Sequence, residues 1–398
     1  QVRAVNGTTW YGPVNATPAS AAPKAASTTI TVVATGAGTL GTDYFIVGGN
    51  LYTTNATANV NVTDIQNALL TGGVSIAAEN VVVNSPIAWS TSQVLMLGNT
   101  SGGSVSLNES ITASGVSGGL VISPTSYSLK VNTGAKILLS GASTTLSIGG
   151  NSYTLIRNEA GLGTVATTGN YALAAPIALS TTYSSAPISG LFAGTLDGLG
   201  NTIDRMRISP AAGNNYGLVE RLNGGIIRNI GITNLTITLG TDSSSVGGLV
   251  GLSSGGTIDQ TWTTGFIRTT TTNAALALGG LVGRANSGTT NISKSWSSVN
   301  IDSSASGTAT ALEQGGIIGG DEANVPQAPS AAGGIVNLNQ VYATGTLKWA
   351  ANTHRGIGGL MGLHYNSSGA MTIVDSFSWV TLASTLGNTG GIIGVADG

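Results

Sequence analysis

Few residues in this chain have side chains suited to chemistry. There are two histidines, His354 and His364, and no cysteine. Ten positions apart around a glycine-rich corner, the two imidazoles could be neighbours. Zinc would need a third and fourth ligand, and no acid cluster stands beside them, so no metal and no cofactor are expected. The 16 acids are mostly single, and the only adjacent pair is Asp321 and Glu322. Hydrolysis or elimination on a polysaccharide needs several acids, or acids with Lys or Arg, on one face. This pattern does not supply them. Asp197 and Asp204 flank an Asp-Gly turn and read as turn residues. Serine is abundant, yet no G-x-S-x-G elbow occurs. No catalytic residue is assigned. A β-helical polysaccharide lyase or hydrolase is the alternative reading, favoured only if folding gathers acids on one face.

One set of side chains recurs at fixed spacing: Trp262, Trp296, Tyr342 and Phe377. Pointing inward, they would form a core ladder, as large aromatics usually do. Pointing outward, they would make a row of rings able to bind sugar. Strict alternation that buries Trp262 would also bury Gln260, and in other copies Lys294 or Asp375. A corner must therefore separate these positions from the preceding aliphatic ones, which leaves the orientation open.

The elements that position this column are repeats. GGLVG occurs at Gly247 and Gly279, GGIIG at Gly315, GGLMG at Gly358 and GGIIG again at Gly390, 32, 36, 43 and 32 residues apart. After each of the first four come a polar turn and a segment: IDQTWTTGFI, ISKSWSSVNI, LNQVYATGTL and IVDSFSWVTL. These align an aliphatic column (Ile258, Ile292, Leu338, Ile373), the aromatic column, and a second aliphatic column (Ile267, Ile301, Leu347, Leu382). A degenerate copy begins at Tyr216 and carries Gly231 at the aromatic position. Apolar runs of three to five residues, rich in Val, Ile and Thr, suit strands. A motif at this period means stacked units that cannot bury their apolar sides alone. The expected fold is all-β, a parallel β-helix.

Four segments are expected. Residues 1–30 form an arm rich in Ala, Pro, Ser and Thr. Residues 31–156 hold strands, one cap helix and narrow coils. In the helix VTDIQNALLTGG, Thr63 or Asp64 would cap the start, Ile65, Ala68 and Leu69 would face the core, and Gly72 would stop it. Residues 157–215 are less regular, with a strand pair across the Asp197-Gly198 turn. Residues 216–398 are the repeats, and the insert 321–334 explains the 43-residue spacing.

Composition narrows the function. Only 8% of residues are charged, with a formal net charge of -2, and no basic patch exists to hold nucleic acid. No apolar run reaches the ~20 residues of a membrane-spanning helix. The sequence starts at Gln1, which is the expectation for an exported chain whose leader was removed. Nine Asn-x-Ser/Thr sequons occur, as chance gives in a chain this rich in Ser, Thr and Asn.

The repeat GGLVGLSSGGTIDQTWTTGFI and its copies resemble the GLUG repeat of large bacterial surface proteins. FAGTLDGLGNTIDRMRI with YGLVERLNGGIIRNIGITNLTI, and VTDIQNALLTGGVSIAAENVVVNSPIAWSTSQVLMLGN, resemble segments of filamentous-haemagglutinin-like adhesins. Together these cover roughly residues 60–398. The resemblance implies a right-handed helix, export across a bacterial envelope and residence at the cell surface or outside the cell. The expected function is then non-enzymatic: an adhesin-like or matrix- and filament-forming protein. Its partners would be surface glycans, a host or neighbouring cell, and copies of itself joined head to tail through the 1–30 arm.

Overall fold

Short strands with one apolar side find partners by stacking coil on coil. The computed structural model of the 398-residue chain describes residues 4–5, 9–10, 29–98, 103–123, 128–210, 215–240, 244–269, 275–304, 311–321, 333–349, 354–365, 371–383 and 388–397. The coil-to-coil ladders are parallel, and the chain is a parallel β-helix. It divides into two units, residues 1–153 and 154–398.

In the first unit each coil is narrow. Asn80–Val83, Ser104–Leu107 and Ser128–Val131 pair in register, Asn80 with Ser104 and Ser104 with Ser128, a repeat of 24 residues. A second sheet stacks Ile87–Trp89, Ile111–Ala113 and Ile137–Leu139, whose isoleucines form a fully buried column. The third, seven-stranded sheet ends at both edges in a hairpin strand. These hairpins turn at Gly48-Gly49 and Gly149-Gly150, where all four φ values are positive, the conformation that tight two-residue turns require.

The helix Val62–Ala68 lies where the three-stranded sheet would otherwise begin, with Ile65 and Leu69 fully buried. Gln66 Oε1 accepts from the Ala88 N–H, so the helix also satisfies an edge donor of that sheet. Its ends differ from the expectation. Asn61 is the N-cap residue, without a side-chain cap bond, and the helix stops at Ala68 with Leu69 as C-cap rather than at Gly72. Asp64 is engaged instead by the Tyr44 hydroxyl at 2.5 Å.

Within the expected arm, Ala4–Val5 pairs antiparallel with Thr9–Trp10. Thr29–Val33 sits between Thr57–Asn61 and Asn80–Val83, so both of its edges are satisfied within the chain. Residues 11–28, the middle of the expected bridge, lie outside the described residues.

The second unit has wider coils with four walls. The first wall carries the aliphatic column: Ile227, Ile258, Ile292, Leu338 and Ile373 pair in direct succession. The first four are at most 1% exposed and Ile373 is half-buried. The second wall holds Gly231–Leu239, Trp262–Thr269, Trp296–Ser303, Tyr342–Trp349 and Phe377–Leu382. Its inward column Ile237, Ile267, Ile301, Leu347 and Leu382 is the second expected aliphatic column. At the corner between these walls Asn229, Gln260, Lys294, Gln340 and Asp375 all adopt φ between 47° and 56°. The expected corner is therefore a stack of left-handed residues, and it resets the in–out alternation.

The chain then folds back. An inner sheet (Ser244–Gly247, Ala275–Gly279, Ala311–Gly315, His354–Gly358, Thr389–Gly390) is followed at once by a return sheet that includes Val250–Ser253, Val282–Ala285, Ile318–Gly320 and Met361–Tyr365. The GG-apolar-apolar-G block is this fold-back. A Cβ at Gly283 would overlap the backbone of Val246 and Gly251, and one at Gly319 that of Leu278 and Gly283. The last glycine of each block thus lets two sheets touch backbone to backbone, which no other residue permits.

Residues 157–215 are not a separate irregular connector in their pairing. Thr195–Asp197 joins the first wall and Thr202–Asp204 the second, each pairing parallel with the next coil. The strand pair expected across Asp197-Gly198 does not form, because this turn is a coil corner that sends its two strands into different walls.

Candidate functional site

The aromatic column faces outward. On Trp262–Thr269 the alternation places Thr263 and Ile267 inside, while Trp262, Thr264 and Phe266 are half-buried. The inward neighbours Thr263 and Ser297 pack against the fold-back glycines, Thr263 donating to the Gly280 carbonyl at 2.8 Å. The rings stack face to face along the helix axis. Centroids are 6.5 Å apart for Trp262–Trp296, 5.7 Å for Trp296–Tyr342 and 5.1 Å for Tyr342–Phe377, with planes within 14°. Trp262 lies over Gly231, where a Cβ would overlap the indole. Burial raises the Tyr342 phenol above its ordinary pKa. Such stacking stabilises coil register, and it covers both faces of Trp296 and Tyr342. What the column offers to solvent is ring edges, with Phe377 52% exposed at its end.

The acids of the second unit tie coils together. Asp197 is fully buried and accepts from Arg228 Nε at 2.7 Å, from Asn229 at 3.0 Å and from the Leu199 N–H at 2.8 Å. Asp204 accepts from Thr233 and Asn234, and the Asn234 bond leads the causes that lower its carboxyl pKa. Glu159 is raised by burial but lowered more by hydrogen bonds from Ser180 and Thr181, which bring it down to about 2. Glu220 accepts from the Gly190 N–H, Asp259 from Ser293, and Asp302 pairs with Lys348 at 3.3 Å. Apart from the local Leu199–Asp197 bond, these bonds span 21 to 46 positions in sequence.

Two further carboxylates are buried in the fold-back region. Glu313 is fully buried between Arg284, at 3.0 Å, and Arg355, at 3.5 Å. A Cβ at Gly320 would collide with Glu313 Oε2, so this glycine makes room for the carboxylate. Asp321, also fully buried, meets His364 Nδ1 at 2.5 Å and accepts from the Tyr365 N–H at 2.7 Å. Burial raises the Asp321 pKa, more than the His364 and Tyr365 hydrogen bonds lower it. The two ends of the insert meet, since the Gly334 N–H donates to the Asp321 carbonyl. Residues 322–332, including Glu322, lie outside the described residues.

The sequence-selected residues are thus distributed rather than gathered. His364 pairs with Asp321, while His354 begins an inner strand. Among the described residues no three metal-ligating side chains converge. Two shallow hollows, about 180 and 110 Å³, lie along Thr57–Asn59 in the first unit. Sequence reasoning missed the Arg284–Glu313–Arg355 cluster, whose members sit 29 and 42 positions apart. It also missed Trp379, which is 80% exposed on the outer side of the last strand of the second wall. The alignment held a signal for it: the equivalent positions are Thr264, Ser298 and Thr344.

Compared with known proteins, the chain matches no family model, no curated protein and no solved structure. The resemblance to GLUG-repeat and filamentous-haemagglutinin-like adhesins rests on the sequence segments quoted above and on none of these comparisons.

Proposed function

We propose that this chain is a non-enzymatic surface protein of the adhesin-like or matrix-forming kind, carried outside a bacterial cell, that presents a long β-helical flank to glycans or neighbouring surfaces. One observation carries the reading: eight acids of the second unit bond to neighbouring coils instead of turning toward a common point. A carboxylate committed to coil-to-coil bonds holds a solenoid together and is not positioned as a general acid or base. The outer flank of the second wall supports the binding half of the reading, being mostly ring edges, hydroxyls and amides. The GLUG-like repeat supports the bacterial surface setting.

Beads coated with the purified intact chain test it. They should be captured on surfaces bearing immobilised polysaccharide or whole bacterial envelopes, and uncoated beads should not. Equal passage of coated and uncoated beads over every surface contradicts the reading.

A further inference from the structure

We propose that the outer face of the second wall, between Arg207 and Arg268, binds a carboxylated polysaccharide, a chain containing uronate sugars; this rests on the surface-protein reading and assigns it a place and a ligand class. The two arginines come from different coils. Arg207 pairs in register with Thr236, and Thr236 with Phe266. Arg268 stands two residues beyond Phe266 on the same strand. Arg207, Thr236 and Arg268 are exposed, and Phe266 is half-buried. With coils about 4.8 Å apart and strand residues about 3.3 Å apart, the two arginine Cα atoms lie about 12 Å from each other. Each arginine already has a register partner in the coil before and the coil after it: Thr182 and Thr236 for Arg207, Thr238 and Asp302 for Arg268. Their outward side is therefore a property of the flank and not of an end of the helix.

The charge of this face depends on which ions are already used. The described strands of the wall, with the link at Arg205, carry four cations, Arg205, Arg207, Arg268 and Lys348, and two acids, Asp204 and Asp302. Asp204 accepts from Thr233 and Asn234 through Oδ1 and meets Arg205 through Oδ2 at 3.2 Å. Asp302 accepts from the Ser304 N–H through Oδ1 at 2.9 Å and from Lys348 through Oδ2 at 3.3 Å. All four carboxylate oxygens are thus engaged, and Arg207 and Arg268 have no ion pair among the described residues. Four cations less two acids leave the face at +2, in a chain whose formal net charge is -2. Each free guanidinium keeps a planar fork of N–H donors, the geometry that takes a carboxylate through two parallel bonds.

That combination matches an acidic sugar chain. The arginine forks take its carboxylates. The outward residues beside them, Thr264, Asn300 and Thr346, supply donors and acceptors for its hydroxyls, and Phe266 supplies apolar ground for its C–H groups. The spacing of charge argues against a denser polyanion. Duplex nucleic acid carries one charge per ~1.7 Å, whereas this face has two free cations about 12 Å apart, with the carboxylates of Asp204 and Asp302 beside them. A polymer with its charges set apart by hydroxyl-rich rings meets both arginines and crosses the hydroxyl rows between. A single exposed ion pair contributes little, so retention comes from several sugars held along one flank.

Affinity electrophoresis of the intact chain in gels containing polygalacturonate or alginate tests the assignment, with dextran as the neutral comparison and heparin and duplex DNA as denser polyanions. Each variant is compared with its own mobility in a polymer-free gel. The parent should be retarded by a polyuronate at low salt and released by about 1 M salt, where the Debye length falls to about 3 Å. Arg207→Gln and Arg268→Gln should each weaken the retardation about two- to fivefold, and the double variant about tenfold. Arg268→Lys, which keeps the charge and loses the fork, should fall between parent and Arg268→Gln. Lys130→Gln, which removes an exposed cation of the first unit, should leave retardation unchanged. The melting temperatures of the arginine variants should equal the parent's, since both side chains are exposed and unpaired. Polyuronate retardation that the double variant leaves intact, or that Lys130→Gln weakens as much, overturns this site. Equal retardation by dextran overturns the role of charge. Tighter retention by heparin or DNA through the same two arginines overturns the ligand class. If no gel retards the parent while coated beads are still captured by a surface, this site fails and the surface-protein reading stands; if neither occurs, both fail.

Discussion

Gly320 is the position where a single methyl group should reveal how the buried ions hold the fold-back region. The three atoms nearest to a Cβ built there all belong to Glu313: it would collide with Oε2 and lie 3.0 and 3.5 Å from Cδ and Cβ. Gly320 has no left-handed backbone demand, so Ala is conformationally acceptable. The cost of Gly320→Ala must therefore pass through the Glu313 carboxylate, which would have to leave Arg284 and Arg355. Arg284 is only 7% exposed and cannot regain its hydration. Breaking a buried ion pair in this way costs about 3–5 kcal/mol. Glu313→Ala removes the same carboxylate and should cost a similar amount, yet it empties the space that the new methyl would occupy. The double variant should then be no worse than Glu313→Ala alone, giving a coupling of about -3 kcal/mol instead of additivity. Because solenoids open locally, hydrogen exchange suits this better than a global midpoint. The Ile317 and Ile318 amides, each bonded to the Leu360 carbonyl at 2.9 Å, are the reporters. Their exchange should quicken by roughly 100- to 4,000-fold in each single variant, and no further in the double variant than in Glu313→Ala. Additive effects within about 0.5 kcal/mol would refute the reasoning, because they would mean that the glycine is required for something other than Glu313.

Ile292, 1% exposed between Ile258 and Leu338, should not tolerate a charge: Ile292→Asp should destabilise by about 4 kcal/mol or more, seen as loss of the cooperative melt or of soluble protein. Lys294 holds φ at 47°, which costs a side-chain-bearing residue about 1–2 kcal/mol, so Lys294→Gly should match or exceed the parent's melting temperature while Lys294→Val should lower it. Glu159 has its carboxyl lowered from 4.5 to about 2, so its contribution is present above pH 4.5 and is lost as pH falls through 2. Melting curves between pH 2 and 6 should show Glu159→Gln approaching the parent at the acid end and falling behind it above pH 4.5.

The ladders were legible because one sentence recurs. Ile258, Ile292 and Leu338 share a column for the same reason that they share a place in the repeat, and the corner before the aromatics followed from the polarity of Gln260, Lys294 and Asp375. The direction of the aromatic column was not legible. It depends on the left-handed corner, which resets alternation, and on the fold-back glycines, against which Thr263 and Ser297 must pack. The turn at Asp197-Gly198 misled because its signal is local, whereas the carboxylate answers to Arg228 in the next coil. The helix start misled likewise: Asp64 is bound by Tyr44, which lies 20 positions earlier. The Arg284–Glu313–Arg355 cluster departs from the repeat, so no periodicity could announce it. Trp379 departs from it too, and there the departure itself was the readable sign.

The claim that the acids serve the solenoid rather than a reaction is tested most directly by prolonged incubation of stoichiometric intact chain with dextran, mannan, β-glucan, galactan and alginate, reading oligosaccharide products by mass spectrometry. The account predicts no product from the parent, and thermal destabilisation without any change in product for Asp204→Asn and Asp302→Asn. Reproducible oligosaccharide release that disappears on replacing one acid, with the melting temperature intact, would contradict it.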